Sequence, residues 1–237
     1  MDDTDSNERP EPVGPPPSDE TRDTGQAVVR AGVGLTPFVG GPLAELINVM
    51  MDKAIPRRRE EWFKKVGESV DYMVAHSITI EGLADNETFV TVLQEATEAA
   101  AKTHEEEKLE ALRNSITNSA LGVEPDEHMQ IMFVRFVSEF TALHLRILAF
   151  FRDPGGWFDG HGIKRPSYYM GGRSQVLEDG MPELRARKDI YTQAINELSA
   201  RGLMAGGVSG MVSEQGMWQS ITSPLGNRFL DFIANPK

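Results

Sequence analysis

The sequence predicts a mainly α-helical protein: a helical bundle followed by a smaller C-terminal module with a β-ribbon, preceded by a disordered acidic tail. Three observations predict it. Apolar residues recur at helical spacing through most of residues 42–151. Pro, Asp, Asn and Thr stand where helices should begin, and glycines where they should end. After Gly156 the pattern loosens into short apolar runs separated by glycine pairs. The 237 residues, 40% hydrophobic and 25% charged, suffice to bury a core. The expected division is a tail over 1–26, a bundle over 27–142 and the module over 143–237.

The tail carries 8 acidic and 2 basic residues, five prolines and almost no large apolar side chain except Val13. Such a segment buries too little surface to offset its ordering entropy, so disorder is expected. Residues 27–51 are apolar and glycine-rich, but Gly32, Gly34, Pro37, Gly40, Gly41 and Pro42 break the run, and Glu45 interrupts the rest. A membrane-spanning helix is therefore disfavoured. Pro42 should instead open a helix whose apolar face is Leu43, Leu46, Ile47 and Met50.

Pro56 opens the next helix, to about Ala75, with Trp62, Phe63, Val66, Val70 and Met73 on one side. Arg57, Arg58 and Arg59 fall in its first turn, where cations oppose the helix dipole. That placement suggests contact with an anion or an acidic partner, against a plain solvated turn offset by Glu60 and Glu61. Asp85 or Asn86 should cap a long helical stretch to about Gly122, with a break near Lys102 where Thr103 and Glu106 match a capping box. Pro125 and Asp126 start a helix with Met129, Met132, Phe133, Phe136, Val137 and Phe140 inward. Thr141 caps another, ending at Asp153-Pro154-Gly155-Gly156.

In the C-terminal third, a loop should hold Trp157 and Phe158, and Ser167–Met170 should form a short strand. Ser174–Leu184 and Arg187–Arg201 read as helices, the second with Tyr191, Ala194, Ile195 and Leu198 inside and Gly202 as its stop. Met217–Thr222 reads as a strand, and Ser223-Pro224 begins a closing helix with Phe229, Leu230 and Ile233 inward.

Charge and motifs narrow the chemistry. The net charge is −12, with 19 acidic and 11 basic residues over 27–140 but 9 and 11 over 141–237. An acidic chain is repelled by phosphate-rich surfaces at long range. There are no cysteines, which excludes disulfides, thiolate metal sites and cysteine nucleophiles. His104-Glu105-Glu106-Glu107-Lys108 lacks the second His of a zinc-protease helix, and no phosphate loop is present. Gly207-Val208-Ser209-Gly210 lacks the second glycine of a nucleophile elbow, which Met211 replaces. No enzyme, metal or cofactor is expected, and the acidic, proline-rich start, unlike a secretory signal, predicts a cytoplasmic protein.

The Glu197-Leu198-Ser199-Ala200-Arg201-Gly202-Leu203 ending and the Ile221-Thr222-Ser223-Pro224-Leu225-Gly226 turn carry a resemblance to winged-helix proteins over about 143–233. The resemblance makes 187–201 a recognition helix, with Lys188, Thr192, Gln193 and Asn196 facing base edges and Arg185 and Arg187 near phosphate. Against DNA stand Asp189 and Glu197 on the same side, and a wing with Glu214 but no Lys or Arg between Met204 and Leu225. Further carriers are Gly40-Gly41-Pro42-Leu43-Ala44-Glu45-Leu46, Arg57-Arg58-Arg59-Glu60-Glu61-Trp62, Lys108-Leu109-Glu110-Ala111-Leu112-Arg113-Asn114 and His144-Leu145-Arg146-Ile147-Leu148. Over about 40–151 the chain is similar to the abortive-infection alpha family of bacteria, which implies a role in phage defence and no catalytic residues. The leading expectation is a bacterial protein that binds another macromolecule, foremost a protein. The alternatives are a DNA-binding regulator and a membrane-active effector using 27–51.

Overall fold

The computed structural model describes residues 42–51, 56–124 and 126–236, with the side chains of 42–44 left aside. The expectations for the tail 1–26 and for 27–41 lie outside the described residues. Helices dominate: twelve α-helices and one two-stranded sheet are present among the described residues.

Helix α1 is Pro42–Met50, and Ile47 with the following Met51 is fully buried. Helix α2, Pro56–Ala75, buries Trp62, Val66, Val70 and Met73 as its spacing requires. A short α3, Ile80–Ala84, was not legible as a helix; Thr79 caps it by accepting from Gly82 N. Asn86 then caps α4, Glu87–Lys102, accepting from Phe89 N at 3.0 Å. The break near Lys102 is real, but its chemistry differs from a capping box. Thr103 ends α4 and accepts from Glu105 N at 3.2 Å, while Glu105 heads α5, Glu106–Ala120, without a side-chain cap bond. Asp126 caps α6, Glu127–Glu139, accepting from Met129 N.

Helix α4 is the hub of the body: α1, α2, α5 and α6 all pack on it. Trp62 Nε1 donates to Thr97 Oγ1 at 3.2 Å, fixing α2 against α4 inside the core. Lys108 is buried on α5; its ammonium donates to Ser138 O at 3.1 Å, near the carbonyl end of α6, and burial lowers its pKa.

Helix α7 is Ala142–Arg152, and Thr141 and His144 form a capping box at its start. The expected loop around Trp157 is a helix instead, α8, Pro154–Gly160. The Asp153-Pro154 pair is a start signal as much as a stop: Asp153 Oδ1 accepts from Gly156 N at 2.8 Å, and proline suits a first turn. Strand β1 is Met170–Gly171, not 167–170. Tyr168 turns its ring inward, and its hydroxyl donates to Asp179 at 2.6 Å. Helix α9, Arg173–Gly180, stops before a 3-10 turn at Pro182–Leu184, so the expected single helix over 174–184 divides. Helix α10, Lys188–Ala200, buries Tyr191, Ala194, Ile195 and Leu198 as expected, and Gly202 takes φ +73° just beyond it.

Strand β2 is Val212–Ser213, antiparallel to β1 with Met170 opposite Ser213 and Gly171 opposite Val212. The strand expected at 217–222 is instead a helical turn, α11, Glu214–Trp218, followed by one bridge between Met204 and Thr222. Ser213 caps α11 by accepting from Gly216 N; a five-residue helix is too short for its apolar spacing to differ from a strand's. Helix α12, Pro224–Ile233, closes the chain, with Ser223 accepting from Gly226 N at 2.9 Å.

Helix α12 crosses the expected boundary at 142/143. It lies on α5 of the body as well as on α7. Asn118 Nδ2 donates to Phe232 O and Ala234 O, and Asn114 Nδ2 to Ile233 O. These three carbonyls close α12, where intrahelical donors run out. Phe229 and Phe232 meet Phe133 of α6, and Phe136 and Phe140 also face Phe229.

Glu124 adds a polar tie. Its side chain is 4% exposed and accepts from Nε and Nη2 of Arg228, at 2.8 and 2.6 Å. The Arg228 hydrogen bonds hold its carboxyl below the usual range. A depressed folded pKa contributes stability above the ordinary carboxylate range, lost as pH falls through the lower folded value. Glu124→Gln should cost about 1–2 kcal/mol near neutral pH, since Arg228 is half-exposed. The gap to wild type should close as pH falls through the acid range, read as urea midpoints across a pH series.

Candidate functional site

The residues expected to read DNA sit on α10 and just before it. Arg185 donates to Asp179 Oδ1 at 2.8 Å, so one of the two phosphate-side cations is engaged within the module. Arg187, Lys188 and Asn196 are exposed, and Thr192 is half-buried. Gln193 donates to Glu197 Oε1 at 2.7 Å. The structure thus brings Gln193 together with an acid rather than leaving its amide free for a base edge.

Glu197 is also the partner of His144. His144 Nε2 lies 2.8 Å from Glu197 Oε2, and Nδ1 accepts from Thr141 N at 3.2 Å. With Nδ1 accepting a backbone N–H, Nε2 is the ring nitrogen placed to donate to Glu197. The ring is buried and stacks on Phe140, 5.1 Å between centroids. The bonds from Gln193 and His144 hold the Glu197 carboxyl below its usual pKa. Thr141 Oγ1 lies 2.9 Å from Nδ1, completing a hydroxyl–imidazole–carboxylate order. That order is here the capping box of α7: the hydroxyl accepts from the backbone N–H of His144, and Nδ1 takes Thr141 N–H.

Beside this cluster a shallow groove of about 370 Å³ opens between α7 and α10. Leu143, Ile190 and Ala194 supply its apolar lining; Thr141, His144, Asp189 and Gln193 supply the polar part. The spacing puts Leu143 on the apolar face of its helix together with Ile147, Leu148 and Phe151, but it is half-buried and lines the groove instead, and nothing in the sequence reading singled out Ile190. Ile190 carried a signal, as an isoleucine one residue off the buried stripe of α10, and it is 39% exposed.

The ribbon is the other conspicuous surface. Tyr169 is 90% exposed, Met170 54% and Met211 75%. Opposed residues of an antiparallel pair share a face, and so do residues two apart, so Met170, Ser213 and Met211 point the same way. Gly171 and Val212 turn inward; a Cβ at Gly171 would lie 2.9 Å from Met217 Cε. Tyr169 and Met211 bracket the paired residues, about 10 Å apart along the strand. The sequence reading absorbed Tyr169 into a strand without assigning its exposed side.

Two groups of tyrosines and acids stiffen the same module. Tyr168 donates to Asp179, and Tyr191 donates to Glu178 Oε1 at 2.6 Å. Burial and these carboxylates raise both phenols, Tyr191 to about 12.

The basic turn of α2 is partly satisfied locally. Arg57 pairs with Glu61 at 2.8 Å, and the Arg59 guanidinium lies 6.0 Å from the Phe63 ring centre; Arg58 is half-buried. Among the described residues, no cluster of three or more His, Asp or Glu is placed to hold a metal, and no helix is long and apolar enough to cross a membrane. No family model, curated protein or solved structure matches the chain.

Proposed function

We propose that this is a non-enzymatic protein that binds another protein through its C-terminal module, and that the module is of winged-helix type with the ribbon as its wing. The observation that carries the reading is the exposed ribbon, where Met170 and Met211 share the outer face and Tyr169 lies open at the end away from Met211. Methionine is flexible and polarisable, which suits a contact surface that must adapt to a partner. The helix order α7, α9, α10 with β1 before α9, and the Met204–Thr222 bridge after α10, supports the winged-helix part. The segment from Met204 to Leu225 has one acid and no base, which favours protein over phosphate. The sequence likeness to the abortive-infection alpha family supports a role for such binding in bacterial phage defence.

The test is a pull-down from bacterial extract with the full chain and with the double variant Tyr169→Ser/Met211→Ser. A protein retained by wild type and lost by the variant is the expected result. A gel shift at low salt runs beside it. Retardation of DNA that disappears on Lys188→Glu would replace the protein reading with the DNA-binding one.

A further inference from the structure

The groove between α7 and α10 is made of different residues from the ribbon, and what it fits can be argued without the ribbon. Its lining contains one carboxylate, Asp189, and no lysine or arginine. Asp189 is exposed and pairs with no base among the described residues. Glu197 lies two turns further along α10, about 12 Å by helical rise. Glu197 takes hydrogen bonds from Gln193 and His144, and the one nearby arginine, Arg201, is shared with Glu139, so two carboxylates face one guanidinium at this end. Between the two acids, Ile190 and Ala194 stand one turn apart, with Leu143 opposite them on α7.

Acid, apolar floor, acid is therefore the order along this face. Lys188 does not line the groove: two residues before Ile190, it stands about 160° around the axis from it. Arg201, beyond the far end, is taken by Glu139 at 2.5 Å and lies against Phe136. The groove lies open to solvent along this face, as a docking site for another helix requires.

We infer that the α7–α10 groove docks a cationic amphipathic helix of a partner protein, with a leucine-sized side chain on Leu143, Ile190 and Ala194 and Lys or Arg on either side against Asp189 and Glu197. The spacing of the two acids calls for cations seven or eight residues apart in that helix. The complement is defined by charge: an acidic helix would meet two carboxylates with no base between them. A nucleic acid would meet the same repulsion at Asp189 and Glu197, and of the residues that the winged-helix resemblance sets against base edges only Gln193 lines the groove.

The test uses the full chain, isotope-labelled for amide NMR, and two synthetic amphipathic helices. One is built of leucine and lysine, the other of leucine and glutamate. The lysine peptide is expected to shift the amides of Leu143, His144, Ile190 and Ala194 saturably, and the glutamate peptide to leave them in place. Asp189→Asn combined with Ile190→Ser should weaken binding about tenfold or more. Both positions are exposed, and the variant's own spectrum reports whether it is folded; Asp189→Asn alone serves if it is not. Tyr169→Ser/Met211→Ser should leave the binding unchanged. No shifts, shifts scattered over the acidic surface, an equal response to both peptides, or loss only in the ribbon variant would each overturn the proposal. The last of these would leave the ribbon reading standing by itself.

Discussion

Gly226→Ala should destabilise the chain by more than about 3 kcal/mol, the cost of forcing a methyl group into backbone that cannot give way. A Cβ at Gly226 would overlap Leu203 O and lie 3.1 Å from its carbonyl carbon. Leu203 cannot retreat. Its side chain is fully buried, and its carbonyl accepts from Ser223 N at 2.9 Å. Ser223 in turn caps α12 and donates from its hydroxyl to Gly202 O at 2.6 Å. The turn after α10 and the first turn of α12 are thus locked face to face, and only a missing side chain allows the approach. Gly160→Ala is the control. It ends α8 with nothing within 4 Å of a Cβ, and its φ is not in the left-handed region. That change should be neutral or slightly stabilising, within about 1 kcal/mol. Urea midpoints of the two variants decide it: similar midpoints would mean that α12 and Leu203 do not approach as closely as described.

The same turn shows what a sequence can and cannot disclose. Ser223-Pro224 as a helix start and Gly202 as a helix stop were both legible, because each rests on a local preference of one residue's backbone. The long helices α2, α6 and α10 were legible for a related reason: four or five apolar residues at helical spacing leave one arrangement that buries them. The short elements were not. Ile80–Ala84, Pro154–Gly160 and Glu214–Trp218 have too few residues for a period, and their signals are caps, Thr79, Asp153 and Ser213, that also suit turns. Of the site, the exposed face of α10 was legible, since the buried stripe fixes its opposite. That Leu143 and Ile190 would share a groove was not, because it depends on how α7 crosses α10. Nor could the sequence reveal that Glu197 would be held by His144, 53 residues earlier in the chain.

Phe229→Ala should cost about 3–5 kcal/mol, the range for emptying a fully buried aromatic site. Phe229 is 0% exposed and meets the rings of Phe133, Phe136 and Phe140 at 5.5, 5.9 and 6.4 Å. Its place makes the effect informative beyond its size. Phe229 belongs to the last helix, but those rings belong to α6 and the residue after it, on the other side of the expected 142/143 boundary. Asn114 and Asn118 of α5 tie the end of α12 into the same seam. A cavity there weakens both halves, because neither has a separate core at this contact. The chain holds three tryptophans, Trp62 on α2 and Trp157 and Trp218 in the C-terminal third, so fluorotryptophan NMR follows each half without further substitution. In Phe229→Ala, all three resonances should reach their unfolded positions at one lowered urea concentration. If only Trp157 and Trp218 move early while Trp62 keeps the wild-type midpoint, the module unfolds by itself and the seam does not couple the halves. Coupled unfolding is the physical expectation, because the aromatic cluster is shared and the hydrogen bonds to the last carbonyls of α12 come from the body.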